Sequence, residues 1–183
     1  MSHLKTYFIG GVYGVGKSTL VQNMKETYHG YSQFSASDLI SQSNNESYGS
    51  NKFVKDADQN QVILIDSLKK IRHQCDNDIL LAGHFCIVTK NMDIDILPSY
   101  VFKSLSVDKI VVLTSSIQKI SMNLLGRDDK KYDKNFIKKF QDSEIDTALK
   151  VSKIIGVDCL IYDMEFSNQD LININNFLRG DAS

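Results

Sequence analysis

The chain has 183 residues, of which 42% are hydrophobic, enough apolar material for one domain with an ordinary core. It carries 21 Lys and Arg against 22 Asp and Glu, a formal net charge of -1, so no overall charge attracts nucleic acid or an anionic membrane surface. No apolar run reaches the roughly 20 residues of a membrane helix, and three cysteines in no CxxC spacing indicate free thiols, so we expect a cytoplasmic protein.

Short β-rich runs alternate with longer stretches of helical periodicity, which predicts an α/β fold with helices on both faces of a parallel sheet. The predicted strands are residues 7–10, 31–35, 79–83, 109–114 and 159–162. The predicted helices are residues 17–28, 37–42, 58–74, 98–105, 117–125, 134–155 and 168–178. Since no shift in composition marks a second unit, we expect a single domain over residues 1–183.

Two predicted helices carry apolar residues at helical spacing, which indicates the faces that they bury. In helix 58–74 these residues are Val62, Ile65, Leu68 and Ile71. In helix 134–155 they are Ile145, Ala148, Leu149, Ser152 and Ile155. Two polar segments, 41–51 and 126–133, lack such spacing and are predicted to be mobile loops.

Residues 11–18, with the sequence GVYGVGKS, match the pattern GxxxxGK(S/T), follow a predicted strand and open a predicted helix. Glycines let the backbone wrap closely, so successive N–H groups and the helix N-terminus can cradle phosphate oxygens. The residues assigned to phosphate binding are Gly11, Gly14, Val15, Gly16, Lys17, Ser18 and Thr19. Lys17 would reach the β and γ phosphates, and the Ser18 hydroxyl would be a ligand of Mg²⁺.

The alternative interpretation of this segment is a glycine-rich turn between a strand and a helix that binds nothing. Coincidence of the glycines, Lys17 and Ser18 at the required offsets favours the phosphate-binding loop. Such loops serve kinases, motors and switches alike. The chain is short for most motors and contains neither an NKxD nor a DxxG string, which disfavours a GTPase switch.

Beyond this loop, the whole chain resembles the adenylate-kinase-like branch of P-loop kinases, nearest the compact archaeal-type adenylate kinases and related small bacterial ATP-binding proteins. Residues 11–18 look like the GxPGxGKS loop of that family, with Tyr13 where proline is common. Residues 34–39 look like its ISTGDLL segment, and residues 126–129 resemble the start of the lid that closes over ATP. The resemblance implies a P-loop NTPase three-layer sandwich whose five-stranded parallel sheet has the order 2-3-1-4-5.

The resemblance also implies ATP as the donor, Mg²⁺ as the metal and a small-molecule phosphoryl acceptor, expected to be a nucleoside monophosphate. It places an acceptor-binding insertion near residues 36–61, a lid near residues 126–135, and catalytic cations at Lys17 and Arg127. The residues it assigns to acceptor binding are Ser35, Asp38, Lys55, Gln61 and His84. His84 would orient the acceptor or a metal-bound water, although it could equally satisfy backbone groups in its turn.

Two departures from that family bear on catalysis. Ala82 stands where relatives place the carboxylate that holds Mg²⁺ or its waters, and a methyl group cannot do this. Ser41 stands where adenylate kinases carry an arginine that grips the acceptor phosphate, and Lys52 or Lys55 offers only a point charge in its place. These gaps weaken the case for efficient catalysis more than the case for ATP binding.

Three functions remain open at this point. The first is an ATP-dependent nucleotide kinase that uses Lys17 and Arg127 to stabilise the transferring phosphoryl group. The second is a catalytically weak ATP-binding regulator that engages a protein partner through closure of the lid. The third is a kinase for another small acceptor, such as a nucleoside, a sugar or a cofactor precursor. None of them involves nucleic acid or a membrane.

Overall fold

The computed structural model describes residues 3–47, 57–129 and 131–180, and in these segments the chain forms seven strands and seven helices. The strands are β1 (Thr6–Gly10), β2 (Tyr31–Ser35), β3 (Asp78–Ala82), β4 (Cys86–Val88), β5 (Ile94–Ile96), β6 (Lys109–Thr114) and β7 (Asp158–Asp163). The helices are α1 (Lys17–Thr27), α2 (Ala36–Ser47), α3 (Ala57–Arg72), α4 (Ser99–Ser104), α5 (Ile117–Asp128), α6 (Lys134–Ile155) and α7 (Asn168–Arg179).

The main sheet is parallel and has the order β2-β3-β1-β6-β7. This confirms the predicted α/β fold and the order 2-3-1-4-5, because β4 and β5 pair with each other as a separate antiparallel hairpin and are skipped in that count. In register, Ala82 at the end of β3 lies between Ile9 of β1 and Ser35 of β2. The loops that follow these three strands therefore open on the same edge of the sheet.

The central strands are buried on both faces, as their continuous apolar runs predict. On one face the ring of Phe8 packs edge-on against Phe85 and Phe102, with ring centroids 4.9 and 5.1 Å apart. Contacts of this geometry add to the burial of apolar area. Because Phe85 belongs to the turn after β3 and Phe8 to β1, these contacts pack that turn against β1. In the described part of the chain, no helix combines the length and the apolar character needed to cross a membrane.

Two predicted loops are partly helical, and one hairpin was not predicted. Helix α2 continues to Ser47, because the segment up to that residue contains no proline or glycine; residues 48–51 of that predicted loop lie outside the described residues. Helix α5 continues through Gly126 to Asp128, so the predicted loop 126–133 begins about one turn later. The hairpin of β4 and β5 has only three residues in each strand, too few for a clear alternating pattern.

The predicted buried faces of α3 and α6 are confirmed except for one residue in each helix. In α3, Leu68 is buried and Ile65 and Ile71 pack against the core, but Val62 is 59% exposed. In α6, Ala148 and Ser152 are buried and Ile145 and Ile155 pack against the core, but Leu149 is exposed. Each helix also buries a polar side chain that was not predicted, Gln61 in α3 and Glu144 in α6.

Candidate functional site

The segment between β1 and α1 adopts a conformation that only glycine tolerates well. Gly11, Gly14 and Gly16 all have positive φ angles, of 137°, 77° and 104°. A Cβ atom on Gly11 would lie 2.6 Å from the carbonyl oxygen of Leu113, and one on Gly14 would lie 2.8 Å from Cγ of Leu124. At Gly11 and Gly14 the loop therefore packs too closely against its neighbours for any side chain.

Helix α1 begins directly after this loop, with Gly16 as its N-cap. In the described residues no side chain caps it, so the N–H groups of its first turn are left for an outside acceptor. Ser18 and Thr19 are exposed in this first turn. An anion at this end would meet backbone donors and the positive end of the helix dipole.

Lys17 folds back over the loop that precedes it. Its Nζ donates hydrogen bonds to the carbonyl oxygens of Gly11, at 2.6 Å, and Val12, at 2.9 Å. Loss of hydration lowers the pKa of Lys17 to about 8, while the nearby carboxylate of Glu144 acts in the opposite direction. A phosphate group in the loop would offer the ammonium a charged partner in exchange for two neutral carbonyls.

A cavity of about 980 Å³ is lined by Lys17 and by two groups of elements. One group is the start of α1, the last turns of α5 and the segment after β7. The other group is α2, α3, the end of β3 and β4. The polar residues of this second group that line the cavity are Ser35, Ser37, Asn60, Gln61 and His84. We call the first group the donor end and the second the acceptor end.

The donor end has an apolar wall that the sequence did not reveal. Atoms of Phe166 and Met164 lie 3.5 and 3.6 Å from the position that a Cβ atom on Gly16 would take. Both residues follow β7, and Phe166 has a positive φ of 57°. They were missed because a loop residue outside any motif gives no signal in a single sequence. Their position beside the start of α1 suits the flat face of a nucleobase.

Arg127 lines the donor end from the last turn of α5. Its guanidinium is already paired, since Nε and Nη2 donate to the two carboxylate oxygens of Asp128 at 2.6 and 2.8 Å. The hydroxyl of Tyr132 also donates to Asp128, at 3.0 Å. Asn123 of the same helix donates to the carbonyl oxygen of Gly14 at 2.9 Å, which ties α5 to the loop. A ligand phosphate would therefore compete with Asp128 for Arg127.

The acceptor end holds polar atoms without partners. Gln61 is only 5% exposed, and among the described residues neither its Oε1 nor the Oδ1 of Asn60 finds a hydrogen-bond donor. Ser35 and Ser37 share a hydrogen bond of 2.9 Å between their hydroxyls. Both amide oxygens are shielded from solvent, so a ligand in the cavity would reach them only after their side chains move.

His84 lies in the turn after β3, with 25% of its side chain exposed. Its ring packs edge-on against Tyr13, with centroids 4.7 Å apart, and is stacked on Phe140 at 5.7 Å. Its Nδ1 is buried without a hydrogen-bond partner in the described chain, and Oε1 of Glu144 lies 3.6 Å away. Burial, followed by the charge of Lys17, lowers the pKa of His84, against an opposing effect of Glu144. The net effect favours the uncharged imidazole.

Glu144 is the main site residue that sequence reasoning missed. It is fully buried in α6 and accepts hydrogen bonds from three backbone N–H groups, those of Gly11 at 3.1 Å and of Phe85 and Cys86 at 2.9 Å each. A signal was present: Glu144 continues the spacing of the buried residues Ile137, Phe140, Ala148 and Val151. A carboxylate on an apolar face indicates a buried partner.

The remaining predicted residues lie apart from the cavity or outside the described chain. Gly11 and Val15 are buried and do not line the cavity, so they shape the loop from behind. Asp38 is exposed in the first turn of α2 and lines a separate depression beside Gln42 and Ile71. Lys55 lies outside the described residues.

The residues present fit a lightly ligated Mg²⁺. Mg²⁺ in phosphate sites usually keeps several waters and takes one or two protein oxygens, a demand that the exposed hydroxyl of Ser18 can meet. Within the described segments, no three His, Cys, Asp or Glu side chains cluster in a way that could hold a metal on their own. Ala82, at the sheet edge beside the loop, is buried and lines the cavity.

Comparison with known proteins agrees with this geometry. A gluconokinase from Sinorhizobium meliloti 1021 superimposes with a TM-score of 0.55 at 12% identity, over 100% of both chains. The tunicamycin resistance protein of Deinococcus radiodurans gives a TM-score of 0.55 at 10% identity, over 84% of this chain and 96% of its own. At these identities the likeness shows that both structures share the fold of this chain.

Among curated proteins, none matches the sequence significantly. A family model described as an AAA domain does match, over residues 10–141, from the end of β1 to the middle of α6. This span includes the glycine loop, Lys17, His84 and Arg127. It covers well over half of the sequence, and the chain therefore belongs to the AAA domain family.

Proposed function

We propose that the protein is a kinase that transfers the γ-phosphoryl group of ATP to a small molecule. The observation that carries this proposal is a single cavity of about 980 Å³ that Lys17 lines together with the donor end and the acceptor end. A nucleotide switch or motor needs only the donor end. A cavity that the polar residues of the acceptor end also line suits a reaction between two substrates.

The residues of the donor end have distinct roles in this proposal. The N–H groups at the start of α1 and the ammonium of Lys17 hold the phosphates, and Ser18 would hold Mg²⁺ through its hydroxyl. Bound Mg²⁺ supplies positive charge that offsets the charge of the phosphate oxygens. Arg127 leaves Asp128 to contact the phosphates when the end of α5 closes over them. Closure would also exclude water from the site.

The acceptor end orients the second substrate. Asn60, Gln61 and His84 line this end of the cavity and would bind the polar groups of that substrate. A nucleoside monophosphate as acceptor stays a prediction, since Lys52 and Lys55, which would face its phosphate, lie outside the described residues. Binding roles for Ser35 and Asp38 and a cytoplasmic location likewise stay predictions.

One observation favours the alternative, a catalytically weak ATP-binding regulator that acts through a protein partner. Ala82 brings no charge to the sheet edge beside Lys17 and Ser18. Without a carboxylate there, the metal has fewer anchors and transfer would be slow. Such a protein would still bind ATP and close, so closure itself would be the signal.

An assay of ADP release across a panel of acceptors separates the two functions. The panel contains nucleoside monophosphates, nucleosides, sugars and sugar acids, each with Mg-ATP. A kinase releases ADP faster with at least one acceptor, and Lys17→Ala removes that increase. ATP binding by calorimetry without acceptor-dependent turnover on any member of the panel would favour the regulator.

A further inference from the structure

The carboxylate of Glu144 joins the two ends of the cavity from behind. Oε2 accepts from the N–H of Gly11 at the start of the donor loop, and Oε1 accepts from Phe85 and Cys86 in the turn that carries His84. Bringing a charge into the core is costly unless several donors satisfy it. An apolar side chain in its place would leave three buried N–H groups unpaired, so the carboxylate holds the donor loop and the turn of His84 together.

His84 is held in one orientation by its neighbours. Tyr13 from the glycine loop and Phe140 from α6 contact the ring, at centroid distances of 4.7 and 5.7 Å. Four groups face the imidazole: the carboxylate of Glu144, the ammonium of Lys17, the phenol of Tyr13 and the carbonyl of Gly11. Of these, only Glu144 brings a negative charge, and it lies 3.6 Å from Nδ1.

We propose that Glu144 is a positioning residue that keeps the proton of neutral His84 on Nδ1, and that His84 takes the proton of the acceptor hydroxyl on Nε2. This inference deepens the proposed kinase function and rests on it. A carboxylate beside one ring nitrogen favours the N–H there, which leaves a lone pair on the other nitrogen. His84 lines the cavity with 25% of its side chain exposed, and Nδ1 is the nitrogen that solvent does not reach.

The acceptor oxygen forms a bond to the γ-phosphorus, and the bond from that phosphorus to the bridging oxygen of ATP breaks, so that its electron pair leaves with ADP. The proton of the acceptor hydroxyl moves to Nε2 of His84, and the imidazolium that forms is stabilised by Glu144 on the opposite side of the ring. The proton then passes to solvent after the products leave.

The direction of the pKa shift agrees with this role. Burial and Lys17 lower the pKa of His84 from its ordinary value of 6.5, so the ring is neutral and able to accept a proton at pH 7. Activity should fall as the pH drops through this lowered pKa, because protonated His84 cannot act as a base. Glu144→Gln removes an interaction that raises the pKa of His84. In this variant the loss of activity should therefore occur at a still lower pH.

The orientation of His84 can be tested without any turnover. In ¹⁵N-histidine-labelled protein, which has four histidines, the signals of His84 are identified by their loss in His84→Gln. We expect the Nδ1–H tautomer in the wild type, a loss of that preference in Glu144→Gln, and no change in the control Asp146→Asn, an exposed residue of the same helix. A wild-type His84 in the Nε2–H tautomer overturns the role of Glu144.

Turnover tests the proton step, with the acceptor found in the ADP-release screen. His84→Gln should lower kcat by about 100-fold or more, as loss of a general base does, and should abolish the acidic limb of the pH profile while Mg-ATP affinity stays within twofold. A folded, ATP-binding His84→Gln enzyme with wild-type kcat overturns the step. Wild-type protein without turnover on any acceptor overturns both this step and the kinase function, whereas the tautomer result still decides the role of Glu144.

Discussion

The amide N–H of Gly11 donates a 3.1 Å hydrogen bond to the buried carboxylate of Glu144, 133 residues further along the chain. This bond occupies the first N–H group of the glycine loop, so Gly11 is held from behind and leaves phosphate contact to the residues that follow. The same carboxylate holds Phe85 and Cys86. Helix α6 thereby sets the distance between the donor loop and the turn of His84 before any ligand binds.

Replacing Gly11 by alanine should destabilise the protein, whereas the same change at Gly126 should not. At Gly11 the φ of 137° is unfavourable for alanine and the new Cβ would lie 2.6 Å from a backbone oxygen, so we expect a loss of about 1–3 kcal/mol. Gly126 is helical with no atom within 4 Å, and Gly126→Ala should add about 0.5–1 kcal/mol. Thermal melting of both variants checks this pair. Equal melting temperatures would contradict the packing of the loop.

Removing the ammonium of Lys17 should weaken ATP binding. Lys17→Ala deletes a charge-assisted contact of about 1.5–3 kcal/mol, which corresponds to a roughly 10- to 150-fold higher Kd for Mg-ATP. Lys25→Ala is the matched control, because Lys25 is exposed on the same helix at its other end. Calorimetry measures both. An unchanged Kd in Lys17→Ala would remove Lys17 from the nucleotide site.

Much of the fold followed from the sequence because the central strands and α6 have strong patterns. The bounds of α6 and of β6 agree with prediction to the residue. The hairpin β4–β5 was missed because three residues are too few to show alternation. Helix α2 was cut short because its Ser and Asn residues favour turns as readily as solvated helix.

The glycine loop followed from a local pattern, but the rest of the cavity depends on contacts between distant segments. Glu144 contacts Gly11 and Phe85 only after the chain folds, and charge in a long helix is usually solvent-exposed. Val62 was wrongly predicted to be buried because it and Gln61 are neighbours, and apolarity alone favoured Val62. Packing against α2 and α4 decides such cases.

Arg127 should contribute to transfer more than to folding. Arg127→Ala should lower kcat/KM by roughly 10- to 1000-fold, since a guanidinium on the transferring phosphoryl group offsets developing charge. The melting temperature should change little, because the ion pair with Asp128 is largely exposed. Lys131→Ala, an exposed neighbour, is the control. Wild-type kcat/KM in Arg127→Ala would exclude this arginine from the mechanism.

Adding a carboxylate at residue 82 should increase transfer if the protein is a kinase slowed by its absence. Ala82→Asp places a ligand for Mg²⁺ or its waters at the sheet edge beside the loop, so acceptor-dependent turnover should rise. Ala82 is buried, so thermal melting must first show that the variant folds. Ala82→Ser is the uncharged control. A folded, ATP-binding Ala82→Asp without increased turnover would favour the regulator.

A crystal structure with Mg²⁺, a non-hydrolysable ATP analogue and the acceptor selected by the ADP-release screen tests the central claim most directly. We expect the triphosphate along the N–H groups at the start of α1, with its terminal phosphate within hydrogen-bond distance of Lys17 in place of the Gly11 and Val12 carbonyls. The acceptor hydroxyl should lie on the other side of that phosphate, beside His84 and Gln61. An acceptor bound outside this end of the cavity, or a triphosphate away from Lys17, would contradict the account.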